Sequence, residues 1–341
     1  MHIAHLILTH RFAGSERYAV ELANAQVEAG HRVSMVLRRA ATQDRPDAIA
    51  HRLDPRIEQA ITGNLLPAWQ ARRMLRRIKP DVAHAHLSAG CRALHGLDGH
   101  VLRVATLHIH YKPRQHRTLD GLIAIAPWQL ADVPEPLRQH CVQIDNWTRM
   151  VAAAPGARAA IRNQVGVAPD AFVFGALGRV EESKGLDVLV DAWKRAALPA
   201  DARLVIVGQG KAFDAVRTRA PANVVMPGFV PNPRDWMEAF DVFVSAARRE
   251  PFGLVFLEAM SAGLPILASA SDGARHLSRH IGMPLLPVGD VDALAAALVD
   301  VHAARLPRRN YPMQYFDPAA RMADIEAFYR RELESLPRRS R

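Results

Sequence analysis

The sequence predicts an α/β protein in which a parallel sheet with crossover helices is built twice. Short β-branched runs alternate with helical apolar patterns along nearly the whole chain. Its 341 residues exceed one usual domain, so two units of roughly 150 residues are the prior expectation. Hydrophobic residues make up 49% and charged residues 23%, a balance suited to well-filled soluble cores.

In the first half, strands are expected at residues 3–8, 32–37, 82–86, 103–107 and 122–125, with a short one near 142. The opening residues, MHIAHLIL, lack a cationic leader and a cleavage site, so they read as a buried strand rather than a targeting segment. A turn at 11–16 leads into a helix over 17–29 that closes at Gly30. Residues 38–64 are polar and poorly periodic and read as loop and short pieces. In the second half, strands are expected at 172–177, 203–207, 224–226, 241–245, 265–268 and 284–286. Asn146, Pro155, Gly156 and Pro169 interrupt regular patterning, which puts the linker near 144–154. The domains then run over 1–148 and 155–310, with a last helix at 319–336 and a basic, disordered tail at 337–341. No apolar run is long enough to span a bilayer.

The run DVFVSAARREPFGLVFLEAMSAGLPILAS, residues 241–269, carries the most chemistry. A buried strand leads through the turn Pro251-Phe252-Gly253 into a helix that begins at Leu254 and stops at Gly263 before Pro265. Such a turn presents backbone N–H groups at a helix N-terminus, where the dipole favours an anion such as phosphate. Glu250 stands just before that mouth and Glu258 a little over one turn inside. Two carboxylates beside an anion site suit a ligand with hydroxyls on either side of a diphosphate, which is what a nucleotide sugar offers. Taken singly, each carboxylate could equally be a solvated charge.

Glu250 and Glu258, with seven residues between them and AMSAGLPILAS after them, resemble the paired-Glu signature of retaining glycosyltransferases, above all glycosyltransferase family 4. The resemblance covers nearly the whole chain. It implies the GT-B fold, two facing Rossmann-like domains with a cleft between them and a C-terminal helix crossing back to the first domain. It also implies that Glu250 lies by the donor sugar and Glu258 on the nucleotide ribose, with Phe252, Gly253 and Leu254 in the donor-binding turn. Gly178-Arg179-Val180-Glu181-Glu182-Ser183-Lys184-Gly185 is similar to the segment in which Arg and Lys grip the diphosphate, here Arg179 and Lys184. The physical need is plain, because breaking the sugar–phosphate bond leaves extra negative charge on the nucleoside diphosphate. Fixed cations stabilise that charge without a metal, and Arg clamps phosphate oxygens where Lys acts as a point charge. His108, after the strand 103–107, matches a His close to the transferred sugar, while His110 is the competing candidate. His84 and His86 match a strand end that is structural or acceptor-side. Phe12-Ala13-Gly14-Ser15-Glu16-Arg17 is similar to a Gly-Gly turn near the phosphates; Gly14 is kept as a donor-site residue, and Ala13 departs from the pattern. His276 departs too, standing where relatives often carry an acid. Of the family's hinge motif only Asn146 is matched.

The resemblance thus implies transfer of a sugar, UDP- or GDP-linked, to an acceptor hydroxyl, with no cofactor and no metal. The acceptor would be a lipid-linked or lipopolysaccharide-type glycan at the inner face of the cytoplasmic membrane. In the usual proposal for relatives the leaving phosphate takes the acceptor's proton on the same face. The formal net charge of +10 agrees with nucleic acid, acidic substrates or an anionic membrane, but aromatic residues are only 6% and no nucleic-acid motif is present. Residues 66–79, LPAWQARRMLRRIK, form a basic amphipathic segment with a Trp near one end, suited either to an anionic membrane surface or to packing on the sheet. Cys91 and Cys141 are too few for a disulfide framework or zinc cluster, which suits a reducing cytoplasm. A nucleotide-sugar 2-epimerase of the same fold would need further acids that the sequence does not single out. A non-catalytic donor-binding partner is the third reading, motivated by Ala13 and His276.

Overall fold

Apolar β-branched runs separated by helical segments can hide both sheet faces only if the strands run parallel beneath covering helices, and two such sheets organise the chain. The computed structural model describes residues 1–336 apart from Arg11, Asp98 and Met150. The basic tail expected at 337–341, and Arg11 of the first turn, lie outside the described residues. Two compact units are formed, Met1–Asn146 with Asp317–Arg341, and Trp147–Phe316.

In the first unit the strands are β1 (His2–Ile7), β2 (Arg32–Arg38), β3 (Glu58–Thr62), β4 (Val82–His86), β5 (Leu102–Leu107), β6 (Gly121–Ala124) and β7 (Cys141–Gln143). They pair in the order β3-β2-β1-β4-β5-β6-β7, parallel throughout. One core, with Leu6, Ala85, Leu94 and Leu122, lies on one face; another, with Ile7, Val20, Val33 and Leu37, is a separate cluster. Strand β3 falls inside the stretch read as loop. It is an edge strand with both its leading residues exposed, so no apolar alternation marks it, and a two-pronged Arg32–Glu58 pairing pins it to β2.

The helix Pro318–Ser335 belongs to this unit, its N-terminus capped by the Asp317 carboxylate. Glu332 accepts a bond from His140 Nδ1 at 2.7 Å, and Glu326 pairs with His31 at 2.9 Å. Gly121 gives it room, since a Cβ there would lie 2.8 Å from the Phe328 ring.

The basic segment forms the helix Pro67–Ile78, and it both packs and projects. Ala71 and Leu75 are buried, and Arg72 donates to the carbonyls of Arg92 and Ala93 at the end of the helix Leu87–Leu94. Arg76 donates to the Gly96 carbonyl. Arg73 and Arg77 face outward beside three exposed apolar residues, Leu65, Leu66 and Trp69. No helix among the described residues is long and apolar enough to cross a membrane.

The second unit carries β8 (Phe172–Leu177), β9 (Ala202–Val207), β10 (Val224–Gly228), β11 (Val242–Ser245), β12 (Ile266–Ser269) and β13 (Leu285–Leu286). The order is β10-β9-β8-β11-β12-β13, again parallel, over a core that includes Phe174, Trp193, Leu204, Val244 and Leu298. In both sheets the strand order reverses at the centre, between β1 and β4 and between β8 and β11. That reversal makes each half Rossmann-like and opens a crevice beyond the carboxyl ends of the two central strands.

Arg162, on the helix Ala157–Gln164, is only 3% exposed yet keeps its charge because each of its three guanidinium nitrogens finds an acceptor. It reaches the carbonyls of Ala239, Pro169 and Ala171 and the carboxylate of Asp241 at 2.7 Å. Burial lowers its pKa and the Asp241 carboxylate opposes that. Asp241 also accepts the Val173 N–H at 2.7 Å, which joins this helix to the sheet. Replacing Asp241 with Ala should therefore destabilise the protein by about 3 kcal/mol, read from urea unfolding, because the guanidinium is left buried without its counter-charge. Arg162→Met with Asp241→Ala together should recover much of that loss.

Candidate active site

Three of the residues singled out in the sequence meet at the central crevice of the second sheet. Arg179 and Lys184 follow β8, Glu250 follows β11, and these two strands are neighbours. With Ser245 and Val255 they line one crevice. The Lys184 ammonium pairs directly with the Glu250 carboxylate, both side chains being mostly buried. Arg179 is more exposed and leans on Glu181 at 3.1 Å.

The loops come this close for identifiable reasons. Gly185 has φ of 62° and approaches the end of β11 so tightly that a Cβ would lie 2.0 Å from the Ala246 carbonyl oxygen. Only glycine tolerates both conditions. The Arg249 N–H donates to the Ser183 carbonyl at 3.0 Å, and Arg248 makes a two-pronged pair with Asp187 at 2.7 Å and bonds the Glu182 carbonyl. Arg248 thereby locks the β8 loop to the β11 loop, and the pair holds the Asp187 carboxyl below its usual range. Sequence reading passed over Arg248, because a lone Arg next to Arg249 gives no sign of which one points inward.

The Glu250 carbonyl accepts the Gly273 N–H at 2.7 Å. Phe252 is buried, so its side chain supports the turn rather than lining the crevice, and it packs on the His276 ring with centroids 5.8 Å apart. His276 is itself buried, which gives the departure at that position a packing role. Gly253 adopts φ of 89° as the N-cap of the helix Leu254–Ser261, an end that no side chain caps. Glu258 is the fifth residue of this helix, half-buried and outside the set that lines the crevice.

The first sheet presents its own central edge. Gly14 begins the helix Gly14–Glu28 directly after β1, and Ala13 is its N-cap with φ of −146°. That is extended backbone open to any residue, so the methyl in place of the usual glycine requires no strained geometry here. His108 is the first residue after β5 and joins a row of histidines on the central strands. His86 Nδ1 lies 3.1 Å from His108 Nε2, His5 Nδ1 lies 3.1 Å from His86 Nε2, and His5 Nε2 lies 2.7 Å from Gln26 Oε1. His84 is bonded on both ring nitrogens, to Tyr329 at 2.6 Å and to Thr106 at 2.7 Å. The nitrogens of His5, His84 and His86 lie within 4.8 Å of one another, near metal-ligand spacing, and all are engaged with one another or these neighbours. Register explains the cluster: His5 pairs with His84 and His86 with Thr106 across adjacent strands, and alternate residues share a face. His110 is exposed and stands outside this row. The network was legible only in part, since His5 and Gln26 carry no motif.

Burial keeps these rings neutral, lowering His5 to about 4, His108 to about 3, and His84 and His86 well below the ordinary histidine value. The unfolded chain takes up protons near pH 6.5 while the folded one does not, so stability is full above about pH 7 and falls as the pH drops toward 4. His5 and His108 should each remove about 2 kcal/mol by pH 5. Calorimetric melting at pH 7.5 and pH 5 should show the loss, and His5→Phe should diminish it.

Comparison with known proteins adds independent findings. The family described as Glycosyltransferase Family 4 matches residues 12–173, and that described as Glycosyl transferases group 1 matches residues 171–303. The lipopolysaccharide core biosynthesis glycosyltransferase LpsE of Rhizobium meliloti is 27% identical over 304 residues, covering 85% of this chain and 86% of that protein. A D-inositol 3-phosphate glycosyltransferase of Pseudarthrobacter chlorophenolicus is 28% identical, covering 91% of this chain and 83% of that one. Among solved structures, Anabaena Alr3699/HepE in complex with UDP and glucose superposes with a TM-score of 0.80 at 19% identity, covering 96% of this chain and 98% of that one. The two family matches run consecutively from residue 12 to residue 303 and so take in both Rossmann-like sheets; the chain belongs to the group 1, family 4 glycosyltransferases and is a glycosyltransferase of the GT-B fold.

Proposed function

We propose that this enzyme transfers a sugar, with retention, from a UDP- or GDP-linked donor to a hydroxyl of a lipid-linked or lipopolysaccharide-type glycan in cell-envelope synthesis. The observation that carries the reading is the convergence of Arg179, Lys184 and Glu250 on the shared carboxyl end of β8 and β11. Departure of a nucleoside diphosphate builds charge where two cations already stand, and such preorganised charge acts without reorganisation in the transition state. In this reading residues 147–316 bind the nucleotide and residues 1–146 serve the acceptor side. Arg179 and Lys184 hold the diphosphate and supply the charge a metal would otherwise bring. Glu250 exchanges Lys184 for sugar hydroxyls, Glu258 holds the ribose, and the backbone of Phe252, Gly253 and Leu254 faces the phosphates. His108 and Gly14 serve the sugar and phosphate from the first sheet. The names of relatives support the chemistry: one is a lipopolysaccharide core glycosyltransferase, and a structural neighbour was solved with UDP and glucose.

The test is a panel of UDP- and GDP-sugars assayed for hydrolysis, transfer and epimerisation. Lys184→Ala and Arg179→Ala should each lower turnover of the accepted donor by roughly 10²-fold or more, with chelators leaving activity unchanged. Glu258→Ala should weaken binding of the free nucleoside diphosphate by about 1.5–3 kcal/mol in calorimetry, whereas Glu250→Ala should spare that binding and lower turnover. Loss of activity in EDTA, restored by magnesium, would refute the metal-free part. Epimerised donor without transfer would favour the epimerase reading.

The peripheral part of the proposal places the outer side of the helix Pro67–Ile78 on anionic lipid at the inner face of the cytoplasmic membrane. It rests on Leu65, Leu66 and Trp69 lying exposed beside Arg73 and Arg77. Arg73→Gln with Arg77→Gln should reduce sedimentation with phosphatidylglycerol vesicles, each basic residue near such a surface contributing about 1 kcal/mol. Arg72→Gln should instead lower stability, since its guanidinium is tied to two carbonyls. Unchanged sedimentation of the double variant would refute membrane contact by this face.

A further inference from the structure

The row of histidines in the first unit has a direction. A neutral imidazole donates once and accepts once, so in a chain of them the group at one end decides where every proton sits. Gln26 Oε1, 2.7 Å from His5 Nε2, can only accept, so the proton is on His5 Nε2 and His5 Nδ1 must accept. His86 then donates from Nε2 to His5 and accepts at Nδ1, 3.1 Å from His108 Nε2. His108 must in turn donate from Nε2, which leaves Nδ1 with a free lone pair. Among the described residues, His108 Nδ1 has no hydrogen-bond partner.

From this order we propose that Gln26, through His5 and His86, is a positioning residue that holds His108 as the Nε2–H tautomer, so that His108 Nδ1 accepts a hydrogen bond from a sugar hydroxyl. The sugar contact rests on the reading of His108 given above; the tautomer order does not. Several features favour a fixed order. His5 and His86 are fully buried, the His5 and His86 rings stack with centroids 5.4 Å apart, and Tyr18 meets His86 and His108 edge-on at 5.7 and 5.1 Å. The side branch is ordered as well: Thr106 Oγ1 donates to the Tyr18 hydroxyl at 3.5 Å, so it accepts from His84 Nε2, and His84 Nδ1 accepts from Tyr329. His84 therefore has no proton to lend the row. Burial, which lowers the pKa of every ring in the row, keeps a second proton from erasing the order.

The experiment is ¹⁵N NMR of the histidine rings in the unliganded full chain at pH 8, with His108 assigned by its loss in His108→Asn. The parent protein should show His108 protonated on Nε2 and bare on Nδ1. Gln26→Glu, whose ionised carboxylate only accepts, should keep that pattern, and Gln26→Met should give a mixture of tautomers. In donor assays Gln26→Met should lower kcat by about tenfold with KM little changed, far less than the roughly 10⁴-fold loss when a charged tautomer-fixing partner is removed from a catalytic His. Gln26→Glu should restore it. Should Gln26→Met fail to fold, His5→Phe cuts the row one link further on and must give the same mixture. A proton on Nδ1 of His108 in the parent, a spectrum of His108 indifferent to Gln26→Met and His5→Phe, or a tightly held zinc ion lost in His5→Phe would each overturn the proposal. A fixed tautomer combined with full activity of His108→Asn would instead overturn only the sugar contact.

Discussion

The pairing of β8 with β11 is the constraint on which the second unit depends. Phe174 lies opposite Val242 and Gly175 opposite Phe243, although some 70 residues of chain, forming β9, β10 and their helices, intervene. Two central strands whose onward connections leave in opposite directions must part at their carboxyl ends, and whatever follows each strand is delivered to the same gap. Arg179 and Lys184 arrive from one side and Glu250 from the other. Small residues make the arrangement possible at two depths. Inside the sheet, a Cβ on Gly175 would lie 2.0 Å from the Phe240 ring, and at the rim Gly185 lets one loop touch the other. Arg248 and the Arg249 N–H then fasten the loops together.

Legibility in the sequence followed how locally each feature is determined. Strands such as Phe172–Leu177 and Ala202–Val207 lie within a residue of expectation, because central parallel strands are apolar on both faces and bounded by turn residues. The edge strand Glu58–Thr62 escaped, because a strand with one partner and a wet face carries no such signal. Side-chain partnerships were the least legible. Nothing local says that Lys184 binds Glu250, that Arg72 turns inward while Arg73 turns out, or that Gln26 meets a histidine on β1; each depends on which strands the topology makes neighbours.

The two sheets place polar groups at corresponding edges but treat them differently. In the second unit the charged groups stand at the rim, Arg179 largely exposed and Lys184 paired with Glu250. In the first, neutral rings run inward from the rim into a dry interior and are held by order rather than by charge. A buried polar row of this kind is least costly when its ring nitrogens are matched, which is the condition that His5, His84 and His86 meet.

The contact between Lys184 and Glu250 bears on what the crevice will refuse. A small inorganic anion drawn to the lysine would have to pull it from a mostly buried carboxylate that would lose its charge partner, which is costly. A larger molecule carrying both an anionic group and hydroxyls satisfies the two partners at once as it separates them. On the proposed reading, the internal pair is a lock with two wards, and inorganic phosphate, able to turn only one of them, should compete poorly for the site.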